Sequence, residues 1–260
     1  MRTIRRWPIA ALILVAACAT ESNQSARQIE VAGDPAAMKR IGDAALASGD
    51  AAQARTFYQR AAMLHPDSIE TQIAYAHALA AEGSIDAAVD VLQPLRARKP
   101  VDATLALTLG KLELAAHRPQ AAVDVLRESA GQSPQDSHLA IALGVALDGI
   151  GQPAAAQAAY RHALELDPDS VAARSDLALS LALSGQLDES LALLRTLNNR
   201  LAGSPGDDAS IVAGNLALVY GLEGKDREAA AMAGRLLSPA DVANNLKFYA
   251  TVRAGGPPSP

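Results

Sequence analysis

The sequence predicts an all-α solenoid of stacked helix-turn-helix pairs closed by a C-terminal capping helix. Three observations predict it. Pro66, Pro100, Pro134 and Pro168 recur every 34 residues, and so do Ala54, Ala88, Ala122 and Ala156. Between those markers a small residue, a turn glycine and a bulky apolar residue return in the same order. Ala and Leu dominate, aromatics are only 3%, and Val, Ile and Thr rarely alternate with polar residues, so the periodicity is that of helices and not of strands.

Each recurring residue has a physical task. A bulky residue and a small one open each unit: Ile41-Gly42, Tyr75-Ala76, Leu109-Gly110, Leu143-Gly144 and Leu177-Ala178. The small member lets the two antiparallel helices of a pair approach closely. Gly49, Gly83, Gly151 and Gly185 supply the turn between them, and Asp50 or Ser84 just after it can cap the second helix. Tyr58, Leu92, Leu126, Tyr160 and Leu194 then fill the space between one pair and the next. The periodic prolines end the second helix, and Asp67, Asp102, Asp136 or Asp169 can cap the helix that follows. In the third unit His117 replaces the turn glycine, with Pro119 two residues later.

This period and this order of residues resemble the tetratricopeptide repeat, which implies that the pairs stack into a right-handed superhelix. Five units match in register. A longer connection over residues 198–207 precedes a sixth, degenerate unit with Leu216-Ala217, Tyr220, Gly224 and Ala229, and a helix from Ser238-Pro239 to about Val252 is expected to cover the exposed end. The repeat body is therefore assigned to residues 35–252 and a disordered tail to 253–260.

Residues 1–17 read as a secretory signal. Arg2, Arg5 and Arg6 precede the apolar run Ile9 to Ala17, which is too short to span a bilayer as a stable helix. The segment Val15-Ala16-Ala17-Cys18 resembles the lipobox of bacterial lipoproteins, which implies that Cys18 is acylated and becomes the first residue of the mature chain. A plain signal peptide with an incidental thiol is the alternative, and Arg5-Arg6 also raises a twin-arginine route. Each buried methylene contributes about 0.8 kcal/mol, so the roughly three chains that the resemblance implies would anchor stably. By the same resemblance Ala19, in place of an Asp, implies the outer membrane, with the body facing the periplasm. Residues 18–34 are polar and read as a tether. Cys18 is the only cysteine, so no intramolecular disulfide can form.

In tetratricopeptide repeats the first helix of each pair lines the inner face, which implies a groove here. Lys39, Ile73 and His77 fall on it in the first two repeats, followed by Leu107, Lys111 and Leu114. Ile141, Val145, Asp148 and Leu179 continue it. An apolar strip with few charges suits a partner polypeptide whose apolar side chains leave water. The competing reading is that these side chains only pack neighbouring helices together. Some tetratricopeptide adaptors grip a terminal carboxylate with Lys and Asn, and Lys39 could begin such a clamp, but Asp43 stands where the Asn is wanted.

The composition argues against other functions. Net charge is −5, and loss of the three N-terminal arginines would make it more negative, which disfavours nucleic acid. His65, His77, His117, His138 and His162 have no metal-ligand spacing. No nucleophile elbow, phosphate loop or dinucleotide motif occurs. The reading is of a protein without catalytic residues, cofactor, metal or small-molecule substrate.

Four segments narrow the resemblance: Ala142-Leu143-Gly144-Val145-Ala146-Leu147-Asp148, Leu181-Ala182-Leu183-Ser184-Gly185, Asn215 to Leu222 and Asn244 to Tyr249. With the signal and the repeat number they are similar to the TadD lipoproteins of the tight-adherence (Flp) pilus system. That resemblance implies an outer-membrane, pilotin-like lipoprotein that binds the pilus secretin or another component of the machine. The alternatives are a lipoprotein subunit of outer-membrane protein insertion machinery and a non-catalytic regulator of a cell-wall enzyme.

Overall fold

A computed structural model describes residues 34–99, 102–203 and 206–255. Residues 1–17, Cys18, almost all of the 18–34 segment, Pro100 and residues 256–260 lie outside the described residues. All regular structure described is helical, in two compact units, Met1–Lys99 and Pro100–Pro260.

The first unit contains α1 (Pro35–Ala47), α2 (Ala51–Leu64), α3 (Ile69–Ala81) and α4 (Ile85–Arg98). The second contains α5 (Ala103–Ala115), α6 (Pro119–Gln132), α7 (Ser137–Gly149), α8 (Pro153–Leu166), α9 (Val171–Leu183) and α10 (Leu187–Arg200). It closes with α11 (Asp207–Glu223), α12 (Asp226–Ala233) and α13 (Pro239–Arg253). Within each unit every helix packs on its neighbour in sequence, and the first helices of successive pairs also touch.

The periodic residues form the core. Ala54, Ala88, Ala122 and Ala156 are completely buried, as are Leu92, Leu126 and Leu194, while Tyr58 and Tyr160 are buried to within a few per cent. The reason lies opposite the small residues. A Cβ added at Gly42 would come within 2.6 Å of the Tyr58 ring and one at Gly110 within 2.7 Å of Leu126, while one at Gly144 would overlap the Tyr160 ring outright. Full burial of each such side chain contributes about 1.5–3 kcal/mol. The last pair departs from this scheme. A Cβ at Gly221 would overlap the Tyr249 ring of α13, so the closing helix, and not the second helix of the pair, covers that glycine.

The turns repeat one geometry. Gly49, Gly83, Gly151, Gly185 and Gly224 have positive φ, and His117 takes the same left-handed conformation, φ 57°, in the third repeat. After each, the next backbone N–H reaches back across the turn: Asp50 N to Ala45 O at 2.9 Å, Arg118 N to Glu113 O at 2.8 Å, and Gln152 N to Leu147 O at 2.9 Å. This is the Schellman closure, and it satisfies carbonyls that the helix end leaves free.

The caps correct part of the sequence reading. Asp50, Asp102 and Asp136 accept from N–H groups of the first turn, at 2.9, 2.8 and 2.9 Å. At Asp67-Ser68 and Asp169-Ser170, unlike Asp136-Ser137, the serine is the cap. Ser68 and Ser170 accept from Thr71 N and Ala173 N, while Asp67 and Asp169 stand one residue too early. Ser84 makes no side-chain cap bond. Asp169 accepts instead from Arg200, at 2.7 Å.

A second set of ties is not periodic in residue type. Arg98 and Lys99 donate to the carbonyls of Pro66 and Asp67 at 3.2 and 2.7 Å. A His162 nitrogen lies 2.9 Å from Pro134 O, Arg200 donates to Asp169 O at 3.1 Å, and Arg253 donates to Gly221 O. In each case a basic group near the end of a second helix or of α13 satisfies a carbonyl near the end of an earlier helix, within one unit.

Gly144→Ala is expected to lower stability by about 1–3 kcal/mol, the cost of forcing a methyl group into a filled contact. Urea unfolding followed by far-UV circular dichroism measures it. Gly131→Ala, on an open surface, serves as the control and should not destabilise.

Candidate functional site

In the first unit the inner face is charged and already internally paired. Lys39 Nζ lies 3.0 Å from Asp43 Oδ2 and 3.5 Å from Glu70 Oε1. Tyr58 donates its hydroxyl to Asp43 Oδ1 at 2.8 Å. Desolvation works against the Asp43 carboxylate, but the bonds from Tyr58 and Lys39 prevail and hold it below the ordinary carboxylate range. The bond to Asp43, against a smaller desolvation effect, raises Lys39, while burial and then Asp43 push the Tyr58 phenol up to about 12. A terminal-carboxylate clamp starting from Lys39 would have to break this triad. Ile73 is half-buried and His77 exposed on α3.

The inner face of the second unit separates the predicted residues into two groups. Leu107, Leu114 and Ile141 are partly buried against the core cluster of Ala106, Leu126, Leu139 and Tyr160, so much of their surface is committed to helix packing. Lys111 is exposed, Val145 is 38% exposed and Leu179 is half-buried. Leu183, one turn beyond Leu179, is 75% exposed. Val145 and Leu183 are thus the exposed large apolar side chains of α7 and α9, with Leu179 half-buried one turn before Leu183.

Asp148 ties three helices together. Its carboxylate accepts from Tyr160 of α8 at 3.0 Å and from Ser180 of α9 at 2.8 Å. Burial nevertheless raises its pKa, outweighing the two bonds. Asp176 of α9 is the neighbour that sequence reasoning missed. Burial, and then repulsion from Asp148, push it up to about 6. Burial and both carboxylates raise the Tyr160 phenol as well. A signal existed: the residues one and two periods earlier are Ala142 and Thr108, both buried, so an acid at position 176 breaks the pattern.

Among the described residues no three His, Cys, Asp or Glu groups gather as a metal site. His162 is raised by the Pro134 carbonyl and Glu165. No described helix is long and apolar enough to cross a membrane.

The chain matches the tetratricopeptide repeat family over residues 45–112 and 150–206. It is a tetratricopeptide-repeat fold. Solved structures agree. MamA (41-end) from Desulfovibrio magneticus RS-1 is 19% identical with a TM-score of 0.58, over 66% of this chain and 97% of that one. TTC0263, a thermophilic tetratricopeptide-repeat protein of Thermus thermophilus, is 25% identical with a TM-score of 0.57, over 70% and 98%. The hetero-tetramer Cut9-Hcn1 of the APC/C gives 20% and 0.64 over 84% of this chain, which spans 43% of that one. No curated protein matches the chain. Tetratricopeptide repeats are in general non-catalytic protein-interaction modules, and the chain has the build of a tetratricopeptide-repeat interaction scaffold.

The Asp176 carboxyl makes stability depend on pH. Its folded-state pKa of about 6 lies above the ordinary carboxyl value of 3.8, so folding takes up a proton between these values. Its contribution is complete below about pH 4 and is lost as pH rises through about 6. Asp176→Asn should therefore raise neutral-pH stability by about 1–2 kcal/mol, allowing for partial solvent screening, and flatten the stability profile between about pH 4 and 6. Urea titrations across that range measure both effects.

Proposed function

We propose that this scaffold is an outer-membrane lipoprotein, acylated at Cys18 and facing the periplasm, whose inner face binds a protein partner in Flp pilus assembly. The secretin is the favoured partner, and the protein acts as a pilotin-like factor that supports its assembly or stability. The observation that carries the binding part is the pair of apolar side chains Val145 and Leu183, which remain 38% and 75% exposed on α7 and α9, Val145 one turn from the packed residue Ile141. An apolar side chain left in water on a face that is otherwise well packed gains about 25 cal/mol per Å² when a partner covers it. The pilus assignment is supported by the likeness to TadD lipoproteins of Ala142 to Asp148, Leu181 to Gly185, Asn215 to Leu222 and Asn244 to Tyr249. The anchor is supported by Val15-Ala16-Ala17-Cys18.

Val145→Asp is expected to weaken capture of the secretin by at least about tenfold while far-UV circular dichroism remains native, because burying an unpaired carboxylate at the contact costs more than about 1.4 kcal/mol. Ile141→Asp would lose helicity together with binding, since Ile141 packs on the core. Cells lacking the protein should show fewer secretin multimers in native membranes. Normal multimers and normal pili would overturn the pilus reading. Cys18→Ala should abolish incorporation of a labelled fatty acid and release the protein from the membrane fraction.

A further inference from the structure

The inner face of the second unit sets apolar side chains beside two carboxylates that no cation of the described residues meets. On α9, Asp176, Leu179, Ser180 and Leu183 are spaced three or four residues apart and share one stripe. On α7, Ile141, Val145 and Asp148 do the same. The Ser180 to Asp148 hydrogen bond, at 2.8 Å, holds the two stripes together. Leu183 and Val145 give the surface exposed apolar area, and Asp148 and Asp176 give it negative charge.

The first unit shows what such an arrangement takes. Tyr58 stands three repeats before Tyr160, and each donates its hydroxyl to an inner-face aspartate, Asp43 in one case and Asp148 in the other. Asp43 receives an ammonium group, Lys39 Nζ, at 3.0 Å. Asp148 receives none. Its nearby charge is a second carboxylate, Asp176, and neither acid has an ion-pair partner among the described residues. Like charges held together under partial burial are unfavourable until a cation lies between or beside them.

We propose, building on the reading of this face as a protein-docking surface, that the second unit takes an amphipathic segment of a partner polypeptide that carries a Lys or Arg. Its apolar side chains cover Val145, Leu179 and Leu183, and its cation pairs with Asp148 and Asp176. The charge decides the class of occupant. Two carboxylates at the contact repel nucleic-acid phosphates and anionic lipid headgroups, whereas an apolar stripe with a basic residue one turn away matches both features of the surface.

The test uses the full chain and three fluorescent helical peptides of one apolar pattern, with lysine, glutamine or glutamate on the flank, in anisotropy titrations at neutral pH and moderate salt. The lysine peptide is expected to bind about tenfold more tightly than the glutamine peptide, and the glutamate peptide more weakly than either. In the double variant Asp148→Asn and Asp176→Asn the lysine preference should disappear. Equal binding of all three peptides to the unaltered protein overturns the proposal without recourse to any variant. Persistence of the lysine preference in a natively helical double variant overturns it too. If either occurs while Val145→Asp still abolishes peptide binding, the docking surface stands and its basic selectivity fails. If Val145→Asp leaves peptide binding unchanged, the docking surface itself is refuted, and the proposal with it.

Discussion

The structure depends on one steric constraint, the small size of the residue where two helices of a pair cross, glycine at Gly42, Gly110 and Gly144 and alanine at Ala76 and Ala178. Gly42, Gly110 and Gly144 admit the Tyr58 ring, the Leu126 methyls and the Tyr160 ring at distances that a Cβ would occupy. Because the large residue enters the first helix's groove, its own helix is drawn close enough to bury Ala54, Ala122 or Ala156 completely. The same side chain also shares a cluster with the next pair, Tyr58 with Ala74 and Ala78 and Tyr160 with Leu177 and Leu181. Packing within a repeat and packing between repeats are thus one contact seen from two sides. Gly221 and Tyr249 extend the device to the closing helix, which binds to the last pair by the same complementarity as the repeats bind one another.

That constraint explains how much was legible in the sequence. Small and large residues must alternate at fixed spacing for the pairs to dock, so the core appears as a 34-residue period and can be read off Ala54, Ala88, Ala122 and Ala156. His117 in the left-handed turn position kept the register because the turn requires a conformation, which glycine adopts most easily and which histidine tolerates here. The caps were legible only to within one residue, because Asp67-Ser68 and Asp169-Ser170 each offer two oxygens. The choice between them is made by where the first turn begins. The carbonyl ties were illegible. Arg98, Lys99, His162, Arg200 and Arg253 do the same work with three residue types at unequal spacing.

Position within the repeat, read through the likeness to tetratricopeptide repeats, assigns Ile141, Val145, Asp148 and Leu179 to an inner face, but does not say how deeply each sinks between the helices. Ile141 and Leu107 belong to the core in large part, while Leu183, outside the predicted groove residues, is 75% exposed on α9. The carboxylate pair shows how chemistry enters a repeat fold. A regular scaffold gives every repeat the same backbone, and individuality arises where one residue departs from its equivalents, as Asp176 departs from Ala142 and Thr108.

The carbonyl ties also bear on how the chain finds its shape. Every side-chain bond among those described joins residues at most 37 apart, the span from Asn198 to Arg235. Little of the polymer must be brought together before contacts reward it, so the barrier to acquiring structure is low and ordering can spread from any completed pair to its neighbour. Helices held by a neighbour on each side are the last to open. Exchange of amide protons would therefore be slowest in the middle of each unit, at α2 and α3 in the first and from α7 to α10 in the second.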